Sequence, residues 1–461
     1  MAGTAATWIA VSPMRTPATR RVSGKARPGA GALGPLLAIT LMLSALGPSP
    51  VDAQSTPPDR AITLQRLKLQ RNPYDAASYH RLGDAYIQKA RETGDMSYYG
   101  LAERTLRKSI EIAPENEPAV RRLAFVCSSR HDFEQTVVEA TRALSLDATD
   151  GDAYGVLGDA LLELGKYDDA ELAYTRMMEL GRDLASYSRR SGLRTLHGDP
   201  SGSMADLQRA IDAGLAAGQP RESVAWAQWQ LGAEHFAVGD VKAAEARYLA
   251  ALTTYPGYYR ALAGLGQVRA ARQQYPEAIE LYRRALGVIP LPEYAAALGD
   301  LYAKLGRSRE AAQQYALVEY IGRLSALNRV LYNRELVYFY ADHGIKLEDA
   351  LALARREIAV RKDIYGHDAL AWALFSNGRA EEAATHVAEA LRLGTRDARL
   401  FFHAGMISRR LGRSEEAIRY LEQALATNPQ FHVLQADVAR ATLKELRSSS
   451  RPAGSGRGDH G

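Results

Sequence analysis

This chain of 461 residues is almost without cysteine: Cys127 stands alone. No disulfide can form within it, so the fold must rest on packing. Long apolar runs are scarce as well. The compact one, Leu33–Leu46 (LGPLLAITLMLSAL), falls short of the roughly 20 residues that a membrane-spanning helix needs. No Gly-rich phosphate loop, no HExxH helix and no nucleophile elbow occurs. The usual marks of nucleotide, zinc-hydrolase and serine-hydrolase chemistry are therefore missing. An excess of one charge is missing too, once the formal +5 is located. Arg15, Arg20, Arg21, Lys25 and Arg27 face a single acid, Asp52, within residues 1–53; the remainder holds 53 bases and 52 acids. A phosphate-binding protein needs its basic face on the folded part, so nucleic acid is not an expected partner.

The basic, acid-poor leader, the apolar run, the breakers Gly47-Pro48 and the small-residue exit Val51-Asp52-Ala53 read as a secretory signal peptide over 1–53, cleaved after Ala53. An uncleaved anchor is the alternative. Thr19-Arg20-Arg21-Val22 is a weak twin-arginine pattern, because Ser23-Gly24 stands where an apolar pair is expected. The compact apolar block argues against an organellar transit peptide. With no cysteine after that block, a lipid anchor is excluded.

What the chain has in abundance is repetition. Gly232, Ala244, Tyr248, Ala251 and Pro256 recur as Gly266, Ala278, Tyr282, Ala285 and Pro290, each 34 residues on. Gly378, Ala383 and Ala390 recur in the same way as Gly412, Ala417 and Ala424. Large apolar residues fall three or four apart, as in Tyr154, Leu157 and Leu161, which marks one face of a helix. A Gly-containing turn follows (Gly165, Gly239, Gly306, Gly412), then a second helix, then Pro114, Pro256, Pro290 or Pro429 to end it. Small residues (Gly158 with Ala170, Gly232 with Ala244, Gly266 with Ala278) are expected where the paired helices cross, since close approach tolerates no bulk there.

The pattern resembles the tetratricopeptide repeat, a helix–turn–helix unit of 34 residues, and the later units resemble those of exported bacterial repeat proteins. The resemblance implies an all-α, right-handed superhelical solenoid of about ten helix-pair units over residues 73–430. The units start near 76, 117, 151, 184, 225, 259, 292, 331, 364 and 398. A linker over 54–72 leads into the first helix, a capping helix covers 431–446, and a disordered tail takes 447–461. Some units depart from the pattern. The first has extra residues around Glu92–Gly100. The fourth has Ser191 and Ser203 at its crossing, with Arg190 and Arg194 at apolar positions. The eighth has Tyr338 in place of Gly.

In this family ligand peptides lie along the concave wall, touching the second, fifth, ninth and twelfth positions of each first helix. Early units offer little there: His80, Asp84, Arg121, Asp159. Later units offer Trp226, Trp229, Phe236, Tyr332, Glu335, Phe339, Asp342, Tyr365, Trp372, Phe375, Arg399, Phe402 and Arg409. Aromatic and Arg side chains are the usual anchors of binding surfaces, so a partner-binding groove is expected on units five to ten. Simple packing between first helices would also account for these aromatics. The Lys and Asn with which some members clamp a partner's C-terminal carboxylate are absent. Cys127 reads as a buried structural thiol. His343, His367 and His403, near Asp342 and Asp368, read as ordinary histidines in preference to a metal site.

The reading is an exported, periplasmic or secreted, non-enzymatic scaffold with protein or peptide partners and no cofactor. Its alternative is an envelope assembly or transport factor that keeps its N-terminal segment as a membrane tether.

Overall fold

The computed structural model describes residues 57–93, 95–327 and 333–449. The expected signal peptide lies outside them. Among the described residues there are 22 helices and no strand. Helix α1 (Pro57–Arg71) occupies the stretch read as a linker and packs on α2.

Ten helix pairs follow: α2 (Ala76–Thr93) with α3 (Ser97–Ile112), α4 (Glu117–Ser129) with α5 (Phe133–Leu146), and α6 (Gly151–Glu163) with α7 (Tyr167–Leu180). Next come α8 (Leu184–Leu196) with α9 (Pro200–Ala216), α10 (Arg221–Ala237) with α11 (Val241–Thr254), and α12 (Tyr259–Ala271) with α13 (Tyr275–Val288). The last are α14 (Pro292–Lys304) with α15 (Ser308–Leu327), α16 (Asn333–His343) with α17 (Leu347–Val360), α18 (Ile364–Ser376) with α19 (Ala380–Leu391), and α20 (Ala398–Arg410) with α21 (Ser414–Thr427). Helix α22 (Gln435–Ser449) covers the end of the stack against α21, running three residues beyond the expected cap. The extra residues of the first unit go into a longer α2, which reaches Thr93.

Local chemistry sets the helix starts. Asp132, Asp150, Asp183, Asp199, Asp240, Asp363 and Asp397 each accept a backbone N–H of the first turn, satisfying a donor the helix itself leaves open. The crossings are filled differently from the expected pairing of Gly with Ala. Opposite Gly232 and Gly266, a Cβ would sit 2.6 Å from the Tyr248 ring and 2.9 Å from the Tyr282 ring. Gly158 meets the Tyr174 ring in the same way. The glycine makes room for a tyrosine of the second helix, while Ala170, Ala244 and Ala278 are wholly buried beside it. That is why the tyrosine recurs with the glycine.

The superhelix also closes on itself. Lys362 N–H donates to Glu163 O (2.8 Å), and the Ile364 N–H to the Tyr167 hydroxyl (2.8 Å). Thr395 Oγ1 donates to Leu196 O, and Asn428 Nδ2 to Phe236 O (2.7 Å). These contacts span 192 to 199 residues, an interval of about six units. A buried ion network backs the first of them. Arg361 bonds Glu163 (2.8 Å) and Glu357 (3.4 Å), and Arg334 bonds Glu357 (3.1 Å) and Asp363 (2.6 Å). At Gly165, with φ +71°, an added Cβ would overlap the Lys362 carbonyl. At Gly198 it would sit 2.5 Å from the Gly394 carbonyl. The turn glycines of units three and four thus give both a left-handed turn and a close approach.

Candidate functional site

Closure turns the later part of the inner wall into the lining of a cavity of about 150 Å³. First helices α10, α12, α14, α16 and α20 supply most of it, and Asn428, Phe431, His432 and Gln435 form the floor. Of the side chains expected in the groove, Trp229, Phe236, Glu335, Phe339, Asp342 and Arg399 line this cavity. Trp226, Tyr365, Trp372 and Phe402 are buried in the wall behind it. There Trp372 stacks on His403 (centroids 4.0 Å apart) and on Phe375 (4.9 Å), and its Nε1–H donates to Asp342 (2.7 Å). Arg409 points elsewhere and pairs with Glu445 (2.8 Å). Tyr332 lies outside the described residues.

Sequence reasoning passed over several residues of the cavity: Arg260, Gln267, Glu293 and Asp300. The register that gave the later positions also gives these four, at second and ninth places of units six and seven. Of these four, Arg260 is itself of an anchor type, whereas Gln267, Glu293 and Asp300 carry neither an aromatic ring nor a guanidinium. Tyr338 is a further addition. Its ring carries the Arg399 guanidinium at 4.1 Å, and its hydroxyl donates to Asp368 (2.8 Å).

Electrostatically the site has two parts. In the first, Asp300 accepts from the Tyr315 hydroxyl (2.9 Å), His343 Nε2 (2.8 Å) and His432 Nε2 (3.3 Å). Burial works to raise the Asp300 carboxyl, but the hydrogen bonds and charge of the two imidazoles hold it well below the usual carboxylate range. Both His343 nitrogens face acceptors, Nδ1 meeting Phe339 O at 2.7 Å. Burial is the largest single influence and disfavours the charged ring, but the hydrogen bond and charge of Asp300 together with the Phe339 carbonyl outweigh it, and the pKa is raised.

In the second part, Arg260 lies 5.0 Å over the Trp229 ring and 5.2 Å over that of Tyr259. Glu293 and Glu335 each accept a hydrogen bond from their own backbone N–H. Burial first, and then the charge of Glu335, push the Glu293 carboxyl up to about 7.

His403 Nδ1 meets Asp368 (2.9 Å), and His367 meets His386 (3.0 Å), so the three late histidines have separate partners. Among the described residues no group of three or more His, Cys, Asp or Glu is placed to hold a metal ion. Cys127 is buried, and burial drives its thiol up to about 12.

No curated protein is detectably similar to this chain. Among solved structures it resembles yeast Tom70, at 14% identity over 86% of this chain and 94% of that one, with a TM-score of 0.37. It also resembles the human IFIT1 dimer with PPP-AAAA, at 14% identity over 69% and 73%, with a TM-score of 0.46. A third is the APC/C hetero-tetramer Cut9-Hcn1, at 14% over 86% and 91%, with a TM-score of 0.36. Likeness at this level leaves the reading of the site to the chain's own residues. Residues 132–184, 230–296 and 369–446 match the tetratricopeptide repeat model, and the chain therefore carries tetratricopeptide repeats.

Proposed function

We propose that the protein is an exported, non-enzymatic interaction scaffold that receives a protein or peptide partner on the inner wall of units five to ten. Repeats of this type generally mediate contacts between proteins, which supports the class of function. One observation supports the placement: anchor-type side chains such as Trp229, Phe339 and Arg399 converge on one cavity, while the early first helices present charges that are already paired. A cavity of about 150 Å³ suits one protruding side chain or chain end better than a long peptide laid along a trough. The basic leader and apolar run over 1–53 support export. The alternative is a tethered envelope factor that retains them.

Capture from an envelope extract on the full chain, followed by hydrogen exchange of the complex, tests the placement. Protection on α10–α20 is expected, and protection confined to α2–α9 would overturn it. N-terminal sequencing of the mature protein separates the two readings of export, because a start at Gln54 excludes the tether.

A further inference from the structure

Most buried ionic groups in this molecule are matched. Asp159 has Arg189 at 2.9 Å, Asp206 has Arg190 at 2.5 Å, and Arg334 and Arg361 share three acids. Asp300 has its two histidines. Three partly buried side chains on the cavity wall are not matched in this way. Arg260 makes no hydrogen bond or ion pair among the described residues; its planar cation lies over aromatic faces, and the Glu293 charge acts on it from beyond ion-pair distance. The accessible surface it keeps lies on the cavity wall. Glu293 and Glu335 line the same cavity, each without a cation within ion-pair distance among the described residues.

A charge held away from water without a counter-charge is costly, and burial makes any ion that later joins it bind more strongly. A simple anion reaching Arg260 would meet two carboxylates, and a simple cation reaching those carboxylates would meet Arg260. A ligand that carries both signs a few bonds apart satisfies all three side chains together. Aromatic and small residues (Trp229, Phe236, Ala263, Phe339) line the wall beside polar groups such as Asp300, Asp342 and Arg399, and give an apolar body between the charges a surface to pack on. The cavity opens to solvent, so a compact ligand can fill its inner part, about the bulk of benzene, and extend toward the mouth.

We propose that the cavity is a binding site for a small zwitterion, an α-amino acid with an apolar side chain. Arg260 receives its carboxylate as a two-pronged donor, and Glu293 with Glu335 receives its ammonium group. A free amino acid and a partner's protruding side chain would share this cavity; titration with free amino acids reads the first, and hydrogen exchange of the partner complex reads the second.

Calorimetric titration of the full chain with L-leucine, L-valine and L-phenylalanine tests the idea. Isoamylamine and isocaproate, which are leucine without its carboxylate and without its ammonium, serve as controls. At least one amino acid should bind, and, for leucine, at least tenfold more tightly than either control. Arg260→Met and Glu293→Gln should each weaken amino-acid binding tenfold or more; Glu293→Gln keeps the side-chain shape, so its result stands even if the Arg260 variant misfolds. The proposal is overturned if none of the three amino acids binds. It is equally overturned if isocaproate or isoamylamine binds as well as leucine, or if a folded Arg260→Met chain binds leucine as the parent does.

Discussion

Units three and four and units six and seven are built on one plan yet treat their inner charges in opposite ways. In the earlier pair, Asp159 takes both prongs of Arg189 and the Tyr174 hydroxyl (2.7 Å). Asp206, wholly buried, gathers Arg190, Arg194 and Arg209. Ser203 and Thr195 bond each other (2.8 Å), and Thr195 bonds Glu234 (2.9 Å). The odd polar residues of unit four thus form a seam that replaces the apolar crossing. In the later pair, Arg260 and Glu293 remain apart and face a cavity. The difference teaches that a charge on the inner wall marks a site only when the fold leaves it unanswered.

The largest expected effect lies on the answered side. Asp159→Ala strips the buried Arg189 guanidinium of its bidentate acid and should cost about 3–5 kcal/mol, read as a lowered denaturant midpoint. Because each unit contacts mainly its neighbours, hydrogen exchange should quicken first in α6–α9. A loss no greater than that of a surface substitution, within roughly 0.5 kcal/mol, would erase the distinction drawn between the two pairs of units.

Much of the fold was legible because its determinants are local. Gly232 and Gly266, with Tyr248 and Tyr282, recur at a fixed interval, and a turn glycine such as Gly239 separates the paired helices. Pairing depends on those residues and little else. Closure was not legible. It depends on how small angles between successive units add up over about six of them, and on contacts such as Glu163 with Arg361 and Phe236 with Asn428, whose partners lie nearly 200 residues apart. The site suffered accordingly. Trp229 and Arg399 could be picked by type and register, but the importance of Arg260 and Glu293 comes from what does not approach them, and sequence spacing carries no record of that.

Closure can be tested with two glycines in the same turn position. Gly165 and Gly306 both have φ +71°, but only Gly165 abuts another part of the chain, the Lys362 carbonyl; nothing lies within 4 Å of a Cβ at Gly306. Gly306→Ala should carry the left-handed penalty alone, about 1–2 kcal/mol. Gly165→Ala should carry that and the overlap, so its loss should be the larger by about 1 kcal/mol or more. Small-angle scattering on the Gly165 variant should also show a wider particle. Equal losses and an unchanged radius would mean that units three and nine do not touch in solution.

The smallest effect has the opposite sign and separates the two regions most cleanly. The Glu293 carboxyl sits at about 7 in the folded protein, against an ordinary 4.5, because burial and the nearby Glu335 disfavour its charge. A raised acid binds its proton more tightly when folded than when unfolded, so its unfavourable contribution is absent below about pH 4.5. That contribution grows as pH rises toward 7 and is complete above it. Glu293→Gln removes the charge and keeps the shape. The variant should therefore gain stability over the parent, on the order of 1 kcal/mol at pH 8, with the gain shrinking to nothing near pH 4.5. Paired denaturation curves at the two pH values read this difference directly. A loss at pH 8 would reveal a cationic partner for Glu293 and make it a second Asp159. A gain, coupled with weaker amino-acid binding, would show a residue kept at a cost to the fold because a ligand needs its charge.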